Sequence, residues 1–226
     1  MPGETLAALI FDVDGTLAET EELHRAAFNE AFAAAGLPWH WDVPLYARLL
    51  KVTGGKERMA HYLTLLPDPP PLDATAIAAL HRDKTARYTA LVEAGGLVLR
   101  PGVAALVETA QAEGIRLAIA TTTSRPNVDA LLARTFGSNP FEVIVAGDEV
   151  AAKKPAPDVY VEALQRLGLP ASACIAIEDT EQGLASARGA GLRCVVTESV
   201  YGAGGNFAGA LAVVASLDEV DLATLK

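Results

Sequence analysis

Short uninterrupted apolar runs recur along this chain: "LAALIFDV" (6–13), "IRLAIATT" (115–122), "FEVIVAG" (141–147), "ACIAIED" (173–179) and "RCVVT" (193–197). Each is bounded by Gly, Pro or charged residues, and most are followed by a stretch of helical period. A strand wetted on one face alternates apolar and polar residues, whereas one that stays apolar is covered on both faces, as in parallel sheets flanked by helices. The pattern therefore predicts a doubly wound α/β fold with a Rossmann-like parallel-sheet core, and "ALAVVAS" (210–216) offers a late strand.

The first run ends at Asp12 but the second begins only near Ile115. A parallel crossover needs only a dozen or so residues, so the interval must hold something else. It reads as helices: "ETEELHRAAFNEAFAAAG", a connection through Trp39 and Trp41, "GKERMAHYLTLL", and, after the breaker "PDPPP", "DATAIAALHRDKTARYTALVEAG". The expected organisation is a Rossmann-like core of residues 1–18 and 95–226 interrupted by an all-helical cap of residues 19–94, with Arg100-Pro101-Gly102 marking the return. Length supports this, since 226 residues exceed the usual single domain but are short for two full ones.

A net charge of -10 disfavours nucleic acid and anionic membrane as partners. No run of ~18 apolar residues and no signal-peptide pattern is present, so a cytoplasmic protein is expected. Cys174 and Cys194, the two cysteines, fit neither a zinc site nor a disulfide framework and read as buried small hydrophobes. A monomer is expected, with a homodimer as the alternative.

Ligands of open α/β sheets bind beyond the carboxyl ends of the strands. Four of those ends carry loaded residues here: Asp12-Val13-Asp14, Thr121-Thr122-Thr123-Ser124, the loop to Lys153-Lys154, and Glu178-Asp179. An Asx-type turn would account for one aspartate before Gly15 but not for two. Four carboxylates in one crevice require a hard cation, and Mg²⁺ suits them because it takes few carboxylates and completes its octahedron with water and phosphate oxygens.

Asp12-x-Asp14-Gly15-Thr16, Thr121 after a strand, Lys154 in "KKPAPD" and Glu178-Asp179 after another strand resemble, in order and spacing, the motifs of the haloacid dehalogenase superfamily of phosphotransferases. The helical insertion is similar to the cap of the group holding β-phosphoglucomutase, phosphoglycolate phosphatase and the CbbY-type sugar phosphatases. "TGGKER" and "ATTTSRPNV" resemble the CbbY type most closely. The resemblance implies an Mg²⁺-dependent phosphatase acting on a small phosphorylated sugar, such as the pentulose bisphosphate xylulose 1,5-bisphosphate. It further implies that Asp12 is the nucleophile and is esterified to an aspartyl phosphate, and that Asp14 is the acid/base, protonated when substrate binds. Thr121 and Lys154 would hold the phosphoryl oxygens, Lys154 rather than Lys153 because it directly precedes Pro155. By the same analogy the metal is held by the Asp12 side chain, the Asp14 backbone carbonyl and Asp179, with Glu178 a direct ligand or the partner of one.

Specificity is expected in the cap. Thr53, Gly54 and Gly55 precede a helix whose first turn bears Lys56 and Arg58. Cations there oppose the helix dipole, which favours a functional reading: an anion site for a second phosphate. Glu19 and His24, where the chain enters the cap, occupy positions that touch the sugar or the acid/base group in relatives. Thr122, Thr123, Ser124 and Asn127 add donors, or else form the N-cap and first turn of the next helix. Trp39, Trp41 and Tyr46 are expected in the cap core. The motifs leave open a mutase of the β-phosphoglucomutase kind and, from another class, a non-enzymatic phospho-acceptor or sugar-sensing module.

Overall fold

The computed structural model describes residues 6–225. At its centre a six-stranded sheet is ordered β3-β2-β1-β4-β5-β6 and is parallel at every pairing. The strands are β1 (Ala8–Phe11), β2 (Arg116–Ala120), β3 (Val143–Val145), β4 (Cys174–Glu178), β5 (Arg193–Thr197) and β6 (Ala212–Val214). Leu9, Phe11, Leu117, Ile119, Ile175, Ile177 and Val195 pack with α5 (Val103–Ala112), α6 (Arg125–Thr135) and α9 (Leu222–Leu225). The opposite face, mostly small residues such as Ala8, Ala118, Ala120, Cys174, Ala176 and Cys194, packs with α7 (Asp158–Leu167) and α8 (Glu181–Gly189). Both cysteines are free and buried. This is the α/β Rossmann-like fold that the apolar runs predict, and β1 lies central because it is sealed on both faces. Each large side chain so buried contributes about 1.5–3 kcal/mol, against the entropy of ordering it.

Between β1 and β2 the chain forms α1 (Glu21–Ala34), α2 (Val43–Leu49), α3 (Gly55–Thr64) and α4 (Ala74–Ala94). Their own cluster holds Phe28, Phe32, Trp39, Trp41, Tyr46, Leu49, Met59, Ile77 and Leu80. Trp41 sits at its heart, 4.7 Å from Phe28 and 4.8 Å from Phe32 between ring centroids. The helix α2 falls where the sequence reads only as a connection. Seven residues are too few to display a helical period, and the helix is nucleated instead by an Asp42 side chain accepting from Leu45 N at 2.8 Å with Pro44 in the first turn. Ala27 of α1 and Tyr88 and Val92 of α4 belong to the sheet's cluster, so these helices pack on the core as well as on each other. No helix of the described residues is long and apolar enough to cross a membrane.

Candidate active site

Beyond the carboxyl ends of β1, β2 and β4 the sheet and the cap helices enclose a cavity of about 980 Å³. At its floor Lys154 is only 4 % exposed, and its ammonium donates to Asp12 Oδ1 at 2.7 Å, Glu178 Oε1 at 2.6 Å and the Ala120 carbonyl at 2.9 Å. All three of its protons are used. Glu178 Oε1 also accepts from the Tyr160 hydroxyl at 2.5 Å, and Oε2 accepts from Asp179 N at 3.3 Å. Glu178 thus lies beneath the cavity wall and anchors Lys154.

Asp12, Glu178 and Asp179 each place a carboxylate oxygen within 4.8 Å of the others. Asp179 Oδ1 is buried without a partner among the described residues, and Ser199 beside the carboxylate works against the rise that burial imposes on it. Gly15, at φ +78°, packs so closely that a Cβ would overlap that carboxylate. A buried acidic oxygen facing two further carboxylates is the donor set expected of a hard divalent cation. Burial, then the charges of Asp12 and Glu178, push the Asp179 carboxyl well above its ordinary range. Burial likewise raises Asp12 to about 7, with Lys154 opposing and Glu178 and Asp14 adding to the rise. A cation among these groups would favour their ionised forms.

Asp14 is set apart from them. Its Oδ1 accepts from Thr20 Oγ1 at 2.5 Å and lies 3.0 Å from His24 Nε2. Lys84 of α4 reaches the other ring nitrogen, Nδ1, at 2.5 Å. Since the Asp14 carboxylate only accepts, Nε2 carries the proton given to it and Nδ1 is the acceptor facing Lys84. Burial opposes the Asp14 charge, but the His24 charge and hydrogen bond, the Thr20 bond and the Lys84 charge outweigh it and hold Asp14 at about 2. In the free protein, then, burial and crowding raise Asp12 and Asp179, while His24, Thr20 and Lys84 stabilise Asp14 as an anion.

Lys84 lies buried between the rings of Phe28 and Tyr88, 4.8 and 5.1 Å from their centroids. Burial lowers its pKa to about 7, Asp14 and Glu21 opposing and Arg58 assisting. Between that value and the ordinary 10.5, the unfolded chain keeps a proton that the folded one lacks, so this group makes stability rise with pH. The contribution is lost as pH falls through about 7. Denaturant melts from pH 6.5 to 9.5 are therefore expected to show a smaller rise, or a steeper fall, in Lys84→Met than in the native protein; parallel curves would refute the burial of an ionisable amine there.

Asp12, Asp14, His24, Thr53, Gly54, Gly55, Lys56, Arg58, Thr121, Thr122, Thr123, Ser124, Asn127, Lys154 and Asp179 all line the cavity. Thr53 Oγ1 donates to the Lys154 carbonyl, which ties the α2–α3 loop to the core. Ser124 stands at the N-cap of α6 without capping it through its side chain, and its Oγ and Asn127 Oδ1 are buried without partners among the described residues. Glu19 does not line the cavity; it is exposed, pairs with Arg100 at 3.2 Å and accepts from Val200 N. That corrects its expected place against the sugar, and the reason is a basic residue 81 positions along the chain that the sequence does not show to be adjacent. Arg58 is committed as well: its guanidinium donates to the Leu49 and Val52 carbonyls and to Tyr46 Oη at 3.3 Å each, so it braces the α2–α3 turn, while Lys56 is exposed.

Thr20, Lys84, Tyr160 and Ser199 escaped the sequence reading. Only Lys84 leaves a signal there: it interrupts the apolar stripe Ile77, Leu80, Tyr88, Val92 of α4, where a lysine must be buried.

Residues 6–191 match the family model for haloacid dehalogenase-like hydrolases. The chain belongs to that family. It is 61% identical over 209 residues to Protein CbbY of Rhodobacter capsulatus, spanning 91% of each chain. Its fold is similar to the crystal structure of a point mutant of CbbY from Rhodobacter sphaeroides in complex with xylulose 1,5-bisphosphate. The TM-score is 0.91 at 52% identity, covering 95% of this chain and 96% of that one. β-Phosphoglucomutase from Clostridium difficile shares the fold alone, with a TM-score of 0.82 at 20% identity over 98% of this chain and 96% of that one. The haloacid dehalogenase-like family thus contributes both the sheet and the strand-end motifs, and this chain is an enzyme of the hydrolase type.

Proposed function

We propose that this hydrolase is a phosphatase of small phosphorylated sugars, that its substrate is a pentulose bisphosphate of the xylulose 1,5-bisphosphate kind, and that it works with Mg²⁺ through an aspartyl phosphate on Asp12. The observation that carries the reading is the pairing of Asp12 with Lys154 at 2.7 Å on the cavity floor while Asp14, two residues on, is turned to His24 instead. Two neighbouring aspartates are thereby given different partners, as nucleophilic and acid/base roles demand. Likeness to CbbY over most of both chains supports the substrate class. Residues 1–18 and 95–226 act as catalytic core and 19–94 as the cap that chooses the substrate.

The metal would be held by the Asp12 and Asp179 carboxylates and the Asp14 carbonyl, with Glu178 set behind Lys154; it would neutralise phosphate charge and keep Asp12 ionised. An Asp12 oxygen forms a bond to phosphorus as the phosphorus–oxygen bond to the sugar breaks, and the sugar oxygen takes a proton from Asp14. Water then attacks the phosphorus, Asp14 takes its proton, and the Asp12 carboxylate is released. The Lys84–His24–Asp14 chain offers a route by which Asp14 receives its first proton. The Lys154 charge neutralises the phosphoryl oxygens and Thr121 holds them, and Thr122, Thr123, Ser124 and Asn127 offer further donors.

Release of inorganic phosphate from matched sugar mono- and bisphosphates with Mg²⁺ tests the reading. Bisphosphates are expected to be preferred, and isomer formation without phosphate release would sink the proposal. Lys56→Ala is the sharper probe of a second phosphate site than Arg58→Ala, because among the described residues Arg58 is committed to internal partners and Lys56 has none. A loss of about 1 kcal/mol, or roughly a fivefold rise in KM, is expected for bisphosphates, with p-nitrophenyl phosphate unchanged. Equal losses on both would remove the second-phosphate assignment.

A further inference from the structure

Tyr160 takes no part in the chemistry set out above, yet its hydroxyl ends on the carboxylate that holds Lys154. It is the third residue of α7 and is wholly buried in the apolar cluster with Ile10, Ala120 and Val145. A phenylalanine would pack there as well, and a phenol is costly in such surroundings unless its hydroxyl is paired.

The pairing is specific. Glu178 Oε1 accepts from Tyr160 at 2.5 Å and from Lys154 at 2.6 Å, while Oε2 takes the Asp179 amide. Gly183 of α8 closes the other side, since a Cβ there would overlap the Glu178 carboxylate. The Tyr160 ring in turn lies 5.1 Å from the Lys154 ammonium, which it faces as a cation–π partner. Glu178 is therefore walled by α8 and pinned by α7, and Lys154 can point no more accurately than Glu178 does. Misplacement of a charged group by an ångström at a reacting centre has large effects on rate.

We propose that Tyr160 is a positioning residue for phosphoryl transfer, its hydroxyl fixing the Glu178 carboxylate so that the Lys154 ammonium stays on Asp12 and the phosphoryl oxygens. The inference rests on the phosphatase reading. Tyr160→Phe removes the hydroxyl and keeps the ring, so the fold and the cation–π contact should persist. With p-nitrophenyl phosphate and Mg²⁺, kcat is expected to fall about tenfold while KM stays within about twofold. In a Glu178→Ala background, where the group through which Tyr160 acts is gone, the same change should have no further effect.

A kcat within about twofold of native, a loss confined to KM, or a full tenfold additional loss beside Glu178→Ala would each overturn the inference. Absence of turnover by the native enzyme on any phosphate ester would instead remove the phosphatase reading and the inference with it. An active native enzyme indifferent to Tyr160→Phe removes the inference alone.

Discussion

Asp12→Asn is expected to lower kcat/KM by about four orders of magnitude or more, on p-nitrophenyl phosphate as much as on sugar phosphates. An amide oxygen is too poor a nucleophile to become esterified, and no other group can replace it: Lys154 is a donor, Glu178 lies behind Lys154, and Asp179 is walled by Gly15 and Ser199. Leaving-group quality offers no escape, which is why both substrate classes should fail together. The variant should still fold, because Lys154 retains Glu178 and the Ala120 carbonyl as partners. Steady-state kinetics beside a thermal melt provides the check. Residual activity above about 1 % of native in a folded, wild-type-free preparation would require a water nucleophile and would end the aspartyl-phosphate mechanism.

The second large effect belongs to Asp14. In its proposed role of protonating the sugar oxygen and then deprotonating water, it should be worth about 10²–10⁴ in rate on a sugar phosphate. With p-nitrophenyl phosphate the departing phenolate needs little help, so Asp14→Asn should still pass a phosphoryl group to Asp12 but discharge it slowly. A burst of one equivalent of p-nitrophenolate followed by a slow phase is the expected trace, with phosphate recoverable on the acid-quenched protein. A slow linear trace and no protein-bound phosphate would show that Asp14 does not govern the second step. His24 and Thr20, bonded to Asp14 in the free protein, make the geometry of that carboxylate a property of α1 and the cap entry.

The strands and the positions of Asp12, Asp14, Thr121 and Asp179 are legible because they depend on local pattern, an apolar run sealed on two faces and ending in polar residues at the open edge of a sheet, whereas Lys154, in a loop well past β3, is singled out from Lys153 only by the family resemblance. Glu19 was misplaced because its fate turns on Arg100, which the cap insertion separates from it in sequence and the two cap linkers bring together in space. Arg58 looked like a free cation for a different reason, since its partners are near in sequence. Its partners Tyr46 and Leu49 come from a short helix with no readable period and Val52 from the turn that follows it. Tyr160 and Ser199 occupy positions where a buried aromatic or a loop serine needs no special account until their contacts with Glu178 and Asp179 are known.

By itself the sequence determined a parallel α/β sheet with a helical insertion and a row of acids and one lysine at its carboxyl edge, since strand burial and strand ends are written in consecutive residues. Which of the paired aspartates is held as an anion, which acid anchors the lysine, and which cap cations are free were decided only in the tertiary structure. Charge stability depends on burial and on donors brought from distant segments. Lys84 meets Asp14 through His24 only when the inserted helices have packed on the end of β1, and Tyr160 meets Lys154 through Glu178 only when α7 has packed on the sheet.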